Sequence, residues 1–199
     1  MFHERADDAY EVEPAFLAYM LIEVPVEILS AIFYTIFTML AVGLYTTATT
    51  FFCMVFAVFS LVNVGESIGI AFCSIVHHVG FSVSMTNAVL GIFVVMSGLL
   101  SANMPVVLDR INRISPIPYL TRLLATNEFA QTVTFTCTQE EIVSGRCLYR
   151  TGSDVLQLLA VNDSFAFEYD RYGLYVGVTA ALFVIYRLIA YVVLKVKAG

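Results

Sequence analysis

ILSAIFYTIFTMLAVGLYTTATTFFCMVFAVFSLVNVGESIGIAFCSIVHHVGFSVSMTNAVLGIFVVMSGLLSANMPVVL, from Ile28 to Leu108, decides the fold. Across these 81 residues it holds one formally charged side chain, Glu66. About 20 consecutive apolar residues cross a bilayer as a helix, so the stretch has room for about three crossings. An ionisable group at that depth is costly and marks Glu66 as a candidate functional residue.

Working outward, the whole chain of 199 residues is 59% hydrophobic and 13% charged, with a mean hydropathy of +0.84. Ordinary globular domains are about one quarter charged. The net charge of −6 arises mostly from the first 27 residues and from 109–171. Neither segment is basic, which argues against nucleic acid as a partner. Met1–Glu13 lacks the apolar stretch of a secretory signal, so the sequence is expected to begin on the cytosolic side or to be cut from something longer.

The spans follow from apolar runs and turn signals. An approach segment is expected over 1–24, with Pro25 beginning or kinking a helix. Spans are expected at about 25–44, 51–74, 81–102 and 172–194, separated by a threonine-rich turn at Tyr45–Thr50 and a polar turn at His77-His78. Residues 103–171 form a long, partly helical outer loop. Lys195 and Lys197, just beyond the last span, place both termini on the cytosolic side. This is an all-α membrane fold with four transmembrane helices. Gly65-x-x-x-Gly69 and Gly173-x-x-x-Gly177 allow close helix approach. Within the loop, Ile111–Leu124 has helical spacing, broken at Ser115-Pro116.

Cys137 and Cys147 lie ten positions apart in the polar segment. In an oxidising compartment they suit a disulfide; the alternative is two unpaired thiols. Asn162-Asp163-Ser164 is a glycosylation sequon that has meaning only outside the cell or in a lumen. No phosphate-binding G-x-x-x-x-G-K-[ST] loop, zinc spacing or nucleophile triad is present, so the residues assign no catalysis to this chain.

Several landmarks occur in order: Glu23-Val24-Pro25, Gly43-Leu44, Gly65-Glu66-Ser67, Ser97-Gly98-Leu99-Leu100, Met104-Pro105, Ile114-Ser115-Pro116, Asn127-Glu128-Phe129, Cys137, Thr151-Gly152 and Tyr186-Arg187. This set resembles the C-terminal part of the membrane domain of ABC transporters of the ABCG (white and pleiotropic-drug-resistance) type. The resemblance covers essentially the whole chain. It implies the third to sixth spans of a six-span ABC type-2 domain, with the first two spans and the ATP-binding cassette outside this sequence. ATP and magnesium would be held by that cassette, and no cofactor by this chain. It further implies a second transporter half, as homodimer or heterodimer, with hydrophobic or amphipathic cargo such as lipid, sterol or drug-like molecules moving between the halves. By the same resemblance Asn87, Gly91 and Val94 line the substrate cavity, and Leu99 and Leu100 form a valve. Glu66 and Glu23 make polar contacts that couple helix movement to ATP, and one bridge joins Cys137 to Cys147. The chain departs from the family in having no tryptophan. Two other readings are open to the residues themselves: a non-transporting membrane assembly protein, and a channel or secondary transporter that uses Glu66.

Overall fold

The computed structural model describes residues 12–44, 46–76, 78–97, 106–129, 134–138, 147, 149–161 and 172–198. They form helices α1 (Val12–Val42), α2 (Ala48–Ile75), α3 (Val79–Val95), α4 (Val106–Asn112), α5 (Ile117–Phe129), α6 (Gly152–Val161) and α7 (Tyr172–Ala198). Three of them, α1, α2 and α7, are long and apolar enough to cross a membrane. At 31, 28 and 27 residues each is about 40 Å or more in length at 1.5 Å per residue, longer than a hydrocarbon core of about 30 Å. The expected third span is a shorter apolar helix, α3, of 17 residues. Its described part reaches about 26 Å, and residues 98–105 lie outside the described residues.

The expected division at Pro25 does not occur. Pro25 lies inside one continuous α1, so approach segment and first span are one element. The proline lacks the N–H that would bond the Leu21 carbonyl, a loss that neighbouring helices make tolerable in a spanning helix. Helix ends follow their local chemistry. Gly43, with φ of +72°, takes the left-handed conformation after α1, and its N–H donates to the Met39 carbonyl at 3.0 Å. Thr47 caps α2, its hydroxyl accepting from the Thr50 N–H at 3.3 Å.

α2 is the hub, packing against α1, α3, α5 and α7, while α1 and α7 also touch. The seams are stripes of small or polar residues at helical spacing. Ala31 and Thr35 are buried on α1, Ala57, Ser60, Val64 and Ser67 on α2, and Thr179 and Ala190 on α7. Small side chains let helix backbones approach where lipid removes any hydrophobic drive to associate. Of the two glycine pairs, Gly65 and Gly69 face α3, their would-be Cβ positions 3.4 Å from Leu90 and 3.9 Å from Thr86. Gly173 and Gly177 have nothing within 4 Å, because the buried stripe of α7 runs through Tyr175 and Thr179 instead.

The loop segment enters the bundle. Tyr119, Leu120 and Leu123 of α5 form a core with Ala57 of α2 and Tyr175 of α7. Asn127 reaches the start of α2, where its Nδ2 donates to Thr50 Oγ1 at 2.9 Å. At the other end of α5, Ile117 packs against the Val64, Ile68 and Phe93 cluster. Val64 lies about 21 Å along α2 from Thr50. The turn before α5 reaches the same level, where the Tyr186 hydroxyl donates to the Ile114 carbonyl at 3.2 Å. α5 therefore descends along α2 and α7, so residues 114–129 are not confined to one surface of the bundle.

Beyond α5, an antiparallel bridge joins Thr134 to Thr151, and a disulfide joins Cys137 to Cys147 with Cα atoms 6.1 Å apart. At the start of α6, the Asp154 side chain reaches back to the backbone. Asp154 Oδ2 accepts from the Arg150 N–H at 3.0 Å and the Thr151 N–H at 2.9 Å. These two backbone donors, with the Thr151 side chain, hold the Asp154 carboxyl below the usual aspartate range. Gly152 is buried against Phe129, whose Cα would lie 3.1 Å from an added Cβ.

Candidate functional site

The candidate site is a polar cluster inside the bundle, built by α1, α2 and α7. Glu66 is the only formal charge of α2, and Arg187 is the first charge along α7, about two turns before Lys195. The two meet: Arg187 Nη1 donates to Glu66 Oε2 at 2.7 Å. The other Glu66 oxygen accepts from the Tyr19 hydroxyl of α1 at 2.5 Å. Glu23 and Glu27 follow Tyr19 at successive four-residue steps, on the same face of α1. Asn63 of α2 completes the set, its Nδ2 donating to Glu27 Oε2 at 2.7 Å and to the Phe59 carbonyl at 3.0 Å.

Burial makes the cluster consequential. The Arg187 side chain is 6% exposed and that of Glu66 16%, with Glu27 and Asn63 also buried. A buried ion pair gains little net stability over apolar packing, because desolvation offsets its attraction. Losing Arg187 is expensive, however, because the carboxylates are then left without their cation. The cluster therefore makes the relative placement of three helices obligatory rather than merely favourable. About two turns nearer the helix ends, Lys195 Nζ donates to Glu13 Oε1 at 2.6 Å and the Tyr191 hydroxyl donates to the same oxygen at 2.9 Å. That pair is solvent-exposed and of minor energetic weight.

Sequence reasoning singled out Glu66 and Glu23, and the structure brings them together. It missed Arg187, Glu27, Asn63 and Tyr19 as members. Two signals were available: Arg187 is the only charge in the last expected span, opposite in sign to Glu66, and Glu27 follows Glu23 by four residues, on the same helical face.

Asn87, Gly91 and Val94 share one exposed face of α3, and no other atom lies within 4 Å of a Cβ built on Gly91. The opposite side of α3, with Val89, Leu90 and Phe93, packs against α2. Leu99, Leu100 and Asn162 lie outside the described residues.

Comparison with known proteins identifies the family. Residues 1–129 match the model of the ABC-2 type transporter family. The chain is also 34% identical over 203 aligned positions to an uncharacterized ABC transporter ATP-binding protein/permease of Saccharomyces cerevisiae. That alignment covers 98% of this chain and 15% of the yeast protein, so the chain spans about one seventh of its relative's length. The matched region is a permease-type region in a multi-pass membrane protein. The family match extends over well more than half of the sequence and takes in α1 to α5 with Glu23, Glu27, Asn63 and Glu66: the chain belongs to the ABC-2 type transporter membrane-domain family.

Proposed function

We propose that this chain is the permease portion of an ATP-driven exporter of the ABCG type, moving lipid, sterol or amphipathic drug-like cargo. The observation that carries the reading is the Arg187–Glu66 pair, which locks α7 to α2 inside the bundle beside the Glu23 face of α1. Such a pair tolerates whole-helix movement only if the helices move together, so a push at one end of α1 is transmitted across the bundle. Glu23 and Glu66 serve as coupling contacts in this reading. The exposed Asn87, Gly91 and Val94 face of α3 lines a cavity closed by a second transporter half, with Leu99 and Leu100 as the valve at its outer end. Apolar walls with few polar groups suit amphipathic cargo. ATP with magnesium belongs to a cassette domain, since no residue pattern of this chain cradles phosphate.

A cation channel or secondary transporter centred on Glu66 is disfavoured, because both carboxylate oxygens are already engaged, by Arg187 and by Tyr19. The test is reconstitution of the intact protein, with its cassettes, in lipid vesicles. Cargo-stimulated ATP hydrolysis together with directional flux of a fluorescent lipid or sterol supports the exporter. Flux driven by an ion gradient without ATP overturns it in favour of a secondary transporter. Neither activity overturns it in favour of an assembly role.

A further inference from the structure

Pro116, Pro118, Tyr119 and Tyr186 together settle the turn between α4 and α5. α4 closes in turn bonds, the Ile114 and Ser115 N–H groups donating to the Ile111 and Asn112 carbonyls at 3.0 Å each. Had the helix run on, the Arg113 and Ile114 carbonyls would have accepted from the backbone nitrogens of Ile117 and Pro118. Pro116 stops the helix, Pro118 has no N–H, and the Ile117 N–H turns to Ser115 Oγ at 3.3 Å. Tyrosine hydroxyls answer both carbonyls instead. Tyr119 of α5 donates to the Arg113 carbonyl at 3.1 Å, and Tyr186 of α7 to the Ile114 carbonyl at 3.2 Å. The first bond stays within the entry to α5, whereas the second crosses from the turn to a spanning helix.

Tyr186 also stands where several other elements converge. Its side chain, like Ile117 of α5, packs against the cluster of Val64 and Ile68 from α2 and Phe93 from α3. Its chain neighbour Arg187 holds Glu66, which lies between Val64 and Ile68 on α2. Consecutive helical residues point about 100° apart, so α7 presents the ion pair and the turn contact side by side at one level. Phe93 belongs to the buried side of α3, whose exposed side carries Gly91 and Val94. A shift of α7 that carries Arg187 therefore carries Tyr186, and through one directed bond the turn before α5. Apolar contact alone is non-directional and lets a turn slide over a helix. A hydrogen bond to a carbonyl at membrane depth resists sliding, because no water is at hand to replace it.

We propose that Tyr186 is a positioning residue that ties the α4–α5 turn to α7, so that the tip of α5 moves with the Arg187–Glu66 pair. The role rests on the exporter reading, which supplies the ATP-driven movement of α7, and it extends that movement from the polar cluster to the descending helix. Tyr119, whose bond stays within the entry to α5, shapes the turn without tying it to α7.

The test is hydrogen–deuterium exchange read by mass spectrometry on the intact protein, with its cassettes, in lipid nanodiscs, first without nucleotide and then with ATP and vanadate. In the wild type, exchange at the Ile114 and Ser115 amides should differ between the two states. Tyr186→Phe keeps the ring and loses only the donor. It should raise exchange at these amides severalfold, as the loss of one hydrogen bond allows, leave α2 around Val64 unchanged, and largely abolish the nucleotide dependence. Tyr119→Phe should raise exchange at the turn but keep the nucleotide dependence. A rise spread equally over α2 and α7 would assign Tyr186 to packing and overturn the proposal, and so would a nucleotide dependence that survives in Tyr186→Phe. The wild type alone can also overturn it, through a turn indifferent to nucleotide while α7 responds, and that arm needs no variant to fold. Absence of directional flux alongside the local rise in Tyr186→Phe would sink the exporter reading alone, and flux with no local rise would sink the tie alone.

Discussion

Arg187 Nη1 lies 2.7 Å from Glu66 Oε2, joining α7 to α2 across a sequence separation of 121 residues in the buried interior of the bundle. The two residues are the lone charges of their expected spans. Their meeting turns two separately costly side chains into one tolerable unit, and it fixes which faces of α2 and α7 meet.

Removing one partner should therefore harm more than removing both. Arg187→Met alone should destabilise the protein by about 3–5 kcal/mol, the usual cost of stranding a buried charge, and Glu66→Gln by less, because Glu27 stays in the cluster through Asn63. The Arg187→Met/Glu66→Met double variant should recover a substantial part of that loss. Thermal unfolding of the detergent-purified proteins checks it, and additive losses in the double variant would show that the two side chains do not depend on each other.

Leu123 is completely buried where α5 meets α2 and α7. Leu123→Ala should cost about 2–5 kcal/mol through the cavity it leaves. It should also loosen the descent of α5, seen as faster thiol labelling of a cysteine placed at Ile117. A surface-only loop helix would show neither effect.

Asp154 gives the segment around α6 an acid limit. Its carboxyl is held below the ordinary value of 3.8, so its capping contribution is complete above that value and is lost as pH falls through the lower folded value. Pepsin should cut the segment around α6 progressively faster as pH is lowered into that range. Asp154→Asn, which cannot gain or lose the charge, should remove this pH dependence while cutting faster throughout.

Leu99→Ala separates a valve from ordinary packing. In the exporter reading, directional flux should change several-fold with little change in the amount of folded protein at the membrane. Equal losses in both measurements would assign Leu99 to packing alone.

How much of this was legible depends on the kind of signal. Apolar runs long enough to span lipid stand out in composition, so α1, α2 and α7 were readable from Ala15, Phe51 and Tyr172 onwards. The break at Ser115-Pro116 separated α4 from α5 for the same local reason. Pro25 misled, because its effect on a helix depends on what surrounds the freed carbonyl, and that is a tertiary matter. The Gly173 and Gly177 pair was likewise unreadable, since a glycine motif marks a possible contact without saying which helical face finds a neighbour.

The sequence by itself determined that this is a membrane-spanning helical chain carrying the rare charge Glu66 and the landmark order of a transporter domain. These properties reside in local composition and spacing, and an apolar stretch needs no partner to be apolar. Only the tertiary structure decided that α5 descends beside α2, and that Arg187, Glu27, Asn63 and Tyr19 gather around Glu66. Those contacts join residues far apart in the chain and depend on the rotation of each helix about its axis. Burial sets that rotation, because stripes such as Ala31 with Thr35 and Thr179 with Ala190 must meet before the charges between them can.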